Sequence, residues 1–151
     1  ITPNGKQVVS AAGDKLKIWD LVTGKEQSTF NGHTGTLTAV AITPNAKQVV
    51  SASRDKTLRI WNLATGKKEY TLTEHTNSVK AIAITPDGKR VISASENEIK
   101  VWNLNTGKSE NTFAGHTNLV RTVVISPDGT QAVSASDDKT LKMWDIAIGR
   151  K

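Results

Sequence analysis

The chain of 151 residues contains no cysteine. That excludes a disulfide framework and points to a reducing compartment, read here as the cytoplasm. It has no run of ~18 apolar residues, so it has no candidate membrane-spanning helix and no membrane partner is expected. Its opening residues, ITPNGKQVV, have neither a basic start nor an apolar core, so they are not read as a signal peptide. They look like the middle of a repeating unit. Nucleotide-binding glycine patterns and paired catalytic carboxylates are missing too, and no cofactor is expected. Aromatic residues make up only 5% of the chain, yet four of them are tryptophan.

Those four, Trp19, Trp61, Trp102 and Trp144, stand 41 or 42 residues apart, each near the end of a short strand-like run (LKIWD, LRIWN, IKVWN, LKMWD). His33, His75 and His116 follow 14 residues after a tryptophan, and Pro3, Pro44, Pro86 and Pro127 keep the same period. A fixed spacing of this size means one supersecondary unit copied along the chain, here about 3.6 times. The net charge of +6 follows the copies as well. Lys17, Arg59, Lys100 and Lys142 occupy equivalent places, and acids lie among them. This even mixture suits a soluble surface better than a nucleic-acid footprint, so nucleic acid or another anion stays a lesser alternative.

The second copy shows the logic of one unit. Thr38 to Ile42 is apolar on both faces, with Ala39 and Ala41 opposite Val40 and Ile42, as in a strand covered on both sides. Thr43-Pro44-Asn45-Ala46 is a turn in which proline presets φ and Asn favours reversal. The other copies read TPNG, TPDG and SPDG, so Ala46 stands where they have glycine. Gln48–Ser53 and Leu58–Trp61 are further strands, separated by the polar turn Arg54-Asp55-Lys56. Lys68–Leu72, after Thr65-Gly66, is more polar, as an outer edge should be. The unit is therefore a four-stranded antiparallel sheet.

The dipeptides Gly32-His33, Gly115-His116, Trp19-Asp20 and Trp144-Asp145 resemble those of WD40 repeats, with Asn62, Asn103 and Glu74 as departures. The resemblance covers the whole chain. It implies an all-β fold, a β-propeller of four-stranded blades about a channel. The expected arc is incomplete, a single segment 1–151 with blades near 1–30, 37–72, 79–113 and 119–146 and 14 strands.

His33, Ser51 and Asp55 have the residue types of a hydrolase triad. They recur as His116, Ser134 and Asp138, and incompletely as His75, Ser93 and Asn97 and as Ser10 and Asp14. A feature copied with every unit serves the unit, so no catalytic residue is expected. The family resemblance implies a structural network in which Asp holds His, His meets Ser, and Ser meets the indole N–H of Trp61, Trp144, Trp102 or Trp19. Such a chain satisfies each buried polar group. The turn is one residue shorter in the first and third copies, and Asn97 in the acceptor place predicts a weaker third network. Three histidines spread one per blade lie too far apart to share a metal ion.

By the same resemblance the chain is a non-catalytic scaffold for a protein or peptide, a segment of a larger propeller or sensor protein. The partner face implied by position carries Thr36, Thr38, Arg54, Ser78, Lys80, Glu96, Asn118, Arg121 and Asp137. A second expectation is self-assembly, two copies pairing as a homodimer to complete a ring of about eight blades.

Overall fold

A computed structural model describes residues 1–147; residues 148–151 of the expected segment lie outside the described residues. The first sheet has three strands, β1 (Gln7–Ala12), β2 (Lys15–Asp20) and β3 (Glu26–Phe30). The second has four, β4 (Leu37–Ile42), β5 (Gln48–Ser53), β6 (Leu58–Asn62) and β7 (Lys68–Leu72). The third repeats this with β8 (Ala81–Ile84), β9 (Arg90–Ala94), β10 (Glu98–Asn103) and β11 (Ser109–Ala114). The fourth has β12 (Val120–Ile125), β13 (Gln131–Ser136) and β14 (Leu141–Asp145). Strands run antiparallel in chain order within each sheet, and no helix occurs among the described residues. The innermost strands β4, β8 and β12 lie side by side, so the sheets are successive blades of an unclosed propeller.

The core sits between blades. Val50, Ala52, Leu58 and Ile60 of the second blade close on Val91 and Trp102 of the third. The first and second blades meet through Leu16 and Ile18 against Val49 and Trp61. The third and fourth meet through Ile99 and Val101 against Ala132 and Trp144. Trp61, Trp102 and Trp144 thus each pack on the preceding blade, and Phe30 and Phe113 tilt against Trp61 and Trp144 at 5.7 and 5.2 Å. Burying an aromatic of ~150–250 Å² at each junction is the main apolar gain of joining the blades.

Complete cover of the inner strands does not hold. Residues Thr38 to Ile42 of β4 and all of β8 are only half-buried. These strands border the hub, which four blades of an open arc do not enclose.

Local turns explain the copied polar residues. In the second blade Thr43 Oγ1 donates to Asn45 Oδ1 at 2.7 Å and accepts from the Gln48 N–H, while the Ala46 N–H reaches the Thr43 carbonyl at 2.8 Å. Asp20, Asn62 and Asn103 each use a side-chain oxygen to accept two backbone N–H groups of the next turn. An acceptor oxygen is all that turn needs, so Asn replaces Asp after tryptophan without loss. Ala46 has φ 56°, where the matching Gly5, Gly88 and Gly129 also have positive φ. A Cβ is strained in that region. Ala46→Gly is expected to raise stability by roughly 1 kcal/mol, read as a higher urea midpoint at unchanged slope; a lower midpoint would contradict this.

Candidate functional site

In the second blade the network runs from the indole outward. Trp61 Nε1 donates to Ser51 Oγ at 2.9 Å, and Ser51 Oγ lies 2.7 Å from His33 Nε2. His33 Nδ1 lies 2.7 Å from Asp55 Oδ2, which also accepts the Thr34 N–H at 3.1 Å. A carboxylate only accepts, so Nδ1 carries the proton, Nε2 is the acceptor, and the serine hydroxyl donates to it. Thr57 completes the set, its hydroxyl and N–H donating to Asp55 Oδ1 at 2.6 and 2.9 Å. The fourth blade repeats the geometry with Trp144, Ser134, His116 and Asp138, and Thr140 takes the part of Thr57. Neither threonine was singled out in the sequence, although the repeated Asp-Lys-Thr at 55–57 and 138–140 is a readable signal.

The third blade corrects the expected acceptor. Trp102 Nε1 donates to Ser93 Oγ at 2.7 Å and Ser93 Oγ meets His75 Nε2 at 2.6 Å. His75 Nδ1, however, binds Glu98 Oε1 at 3.0 Å, and Asn97 is not its partner. Four residues before tryptophan, Glu98 stands where Thr57 and Thr140 stand in the longer copies. The shortened turn loses the aspartate, and a glutamate rising from β10 brings a carboxylate to the same nitrogen. A charged acceptor is therefore kept, and the ground for a weaker third network is removed. In the first blade Trp19 Nε1 donates to Ser10 Oγ at 2.8 Å. Asp14 is exposed, and among the described residues no hydrogen bond joins it to that pair.

These groups have triad distances but not triad access. Ser51, Ser93 and Ser134 are each 0% exposed, and an indole N–H already occupies each hydroxyl oxygen. A nucleophile must reach a substrate carbonyl with an oxyanion hole beside it, and a sealed serine does not. Burial pushes His33 and His75 below the ordinary histidine value, against the opposing pull of Asp55 and Glu98. Burial works against the Asp55 carboxylate, but bonds from Thr57, His33 and Thr34 outweigh it and bring its pKa down to about 2. Among the described residues no group of three His, Cys, Asp or Glu is placed to hold a metal ion.

The expected partner face divides. Ser78, Lys80, Glu96, Asn118 and Asp137 line one cleft of about 380 Å³ between the third and fourth blades, together with Asn77 and Leu119. Arg121 chelates Asp137 through bonds of 2.6 and 2.9 Å. Thr36, Thr38 and Arg54 lie outside the cleft lining. Thr38 Oγ1 donates to the Val79 carbonyl at 2.6 Å, and the Thr36 carbonyl accepts the Arg54 N–H, so both serve the fold. Asn77 and Leu119 went unrecognised because no polar pattern marks them; they adjoin Ser78 and Asn118 in the two entry loops.

The cleft lies where the third blade departs from the others. Ser53 Oγ and Ser136 Oγ donate to the Gly35 and Asn118 carbonyls at 2.8 and 2.9 Å, tying those entry loops to their turns. The matching Ser95 hydroxyl is buried with no hydrogen-bond partner, and so is that of Ser78. Loss of one residue from the turn moves the loop carbonyl's usual donor out of use.

Asp55→Ala is expected to cost about 1–3 kcal/mol in urea unfolding, because it strands the buried Nδ1–H. Glu98→Ala should fall in the same range and Asn97→Ala well below it; equal costs for the last two would contradict the assignment. The pH dependence has a definite sign. The folded-state pKa of His33 and His75 lies below the unfolded 6.5, so the unfolded chain takes up protons first as pH falls. Asp55, depressed from 3.8 to about 2, adds stability that is complete above 3.8 and lost as pH falls toward 2. Stability should thus decline below about pH 6.5 and more steeply below about pH 4, as read from urea midpoints; a rise on acidification would contradict it.

A family model described as WD domain, G-beta repeat matches residues 24–62, 66–103 and 107–145. Each matched stretch begins at the outer strand of one blade and ends with the third strand of the next, so each sequence unit straddles a junction. Comparison with curated proteins gives no match. With well over half of the chain matched in three consecutive units, and with the blade geometry described above, the chain belongs to the WD40-repeat family.

Proposed function

We propose that the chain is a non-catalytic scaffold whose cleft between the third and fourth blades receives a polar segment of a partner protein or a peptide. WD40 repeats generally mediate protein–protein scaffolding. The observation that carries this reading is that Ser78, Lys80, Glu96, Asn118 and Asp137 meet in one concavity. Binding residues set on loops of a stiff sheet scaffold vary without unfolding it. Asn77 and Asn118 offer both donors and acceptors, and Glu96 favours a basic side chain on the ligand, Asp137 being held by Arg121. The sealed serines support the non-catalytic reading, and the lack of cysteine supports a reducing, cytoplasmic setting. In this reading the chain is the sensing segment of a larger protein.

Selection of a random peptide library on the folded chain tests the site. Selected peptides should bind at least ~10-fold more weakly to a Glu96→Lys, Asp137→Lys variant, a loss of about 1.4 kcal/mol. They should bind normally to Lys25→Glu, on an exposed turn of the first blade. Equal binding to all three proteins would refute the cleft as the site.

A further inference from the structure

In the second and fourth blades three ties hold the entry loop to the turn between the second and third strands. The turn carboxylate accepts a loop N–H, Asp55 from Thr34 at 3.1 Å and Asp138 from Thr117 at 3.0 Å. The turn serine donates to a loop carbonyl, Ser53 to Gly35 and Ser136 to Asn118. The residue after that serine gives its backbone N–H to the next loop carbonyl, Arg54 to Thr36 and Asp137 to Leu119, both at 2.9 Å.

Among the described residues the third blade keeps none of the three. Thr76, Asn77 and Ser78 are the matching loop residues, and Ser95 and Glu96 the matching turn residues. No backbone bond joins the two sets, and the Ser95 hydroxyl, 0% exposed, has no partner. The ladder shortens with them. β4 and β12 begin with the pairs Leu37–Ser53 and Val120–Ser136, whereas β8 first pairs at Ala81 with Ala94. The third blade is packed between two others, and the fourth keeps all three ties while packed on the third alone. The difference therefore follows from the shorter turn and not from the neighbours.

The Ser78 carbonyl and the Glu96 N–H, which pair with each other's counterparts elsewhere, are thus left open, and both residues line the cleft. A cation satisfies only the carbonyl and an anion only the N–H. One residue of an extended chain turns its own N–H and C=O to the same side and satisfies both, as in an antiparallel ladder. We propose that the partner segment received by this cleft is extended, and that one of its residues bridges the open pair. Its N–H donates to the Ser78 carbonyl, and its C=O accepts from the Glu96 N–H. The inference rests on the cleft being the binding site, and it adds that the main chain of the ligand is read there. Main-chain bonds hold such a segment, while Lys80, Asn118 and the Glu96 carboxylate select its side chains.

Hydrogen exchange of the free chain gives the first test. The Glu96 N–H should exchange at least ~10-fold faster than those of Arg54 and Asp137; equal protection would overturn the proposal. Peptides selected on the chain from a random library give the second. N-methylation of one particular peptide residue should weaken binding at least ~10-fold, and a scan in which every position tolerates the methyl group would overturn the bridge. Replacing Asn97-Glu98 by Asp-Lys-Thr restores the turn length of the second blade and keeps Glu96, Lys80, Asn118 and Asp137. This lengthened turn should close the open pair and weaken the same peptides at least ~10-fold. Peptides weakened by Glu96→Lys, Asp137→Lys but unaffected by the lengthened turn would leave the cleft as the site and refute the bridge. Peptides indifferent to both changes, or a library that yields no binder, would refute both. If the lengthened turn does not fold, exchange and the N-methyl scan on the parent chain still decide.

Discussion

One serine hydroxyl in each blade holds the architecture together. Ser51, Ser93 and Ser134 each accept an indole N–H and each face an imidazole nitrogen within hydrogen-bonding distance. The indole belongs to the third strand, the serine to the second, and the imidazole to the loop arriving from the previous blade. A buried tryptophan delivers the apolar area that joins blades, but its N–H must find a partner in a place without water. The serine supplies that partner, the histidine Nε2 accepts from the serine hydroxyl, and a carboxylate accepts from the histidine Nδ1–H. Each bond is oriented by the next, so the apolar contact and the path of the loop are fixed together.

The same arrangement separates what must stay constant from what is free to vary. The matched sequence units straddle the junctions, so one unit encodes an outer strand, the loop with its histidine, and the tryptophan that closes the interface. At the mouths of the entry loops and second turns, Thr36 and Thr38 bond within the fold, while Ser78, Lys80, Glu96 and Asn118 line the cleft. In the third blade the shortened turn also drops the serine-to-loop bond that the second and fourth blades keep. The cleft opens beside that departure. Under the proposed function, a partner seated in this polar recess would gain contact without costing the fold its interior.

The architecture was legible because its cause is periodic. Tryptophan, histidine and proline recur on one clock, and alternation within each copy separates strands from turns. The failures come where the copies differ. Aligning the third turn from its loop side put Asn97 at the acceptor place. Counting back from Trp102 instead puts Glu98 at the position of Thr57, and side-chain length then lets a carboxylate reach the imidazole from the strand. The inner strands read as fully covered because Ala and Val alternate on both faces of β4; their cover depends on closure of the hub, which no single copy encodes. The cleft was half-legible, since the polar positions were named from the blade frame, while Asn77 and Leu119 enter it only through the meeting of two loops.

The proton on each histidine is the most direct witness to the network. Long-range nitrogen–proton correlation in the imidazole rings, recorded at neutral pH, reports which nitrogen carries it. The account predicts that His33 and His75 are neutral with the proton held on Nδ1, Nε2 bearing the lone pair that meets serine. Imidazoles protonated on Nε2, or averaging between the two forms as in water, would contradict it.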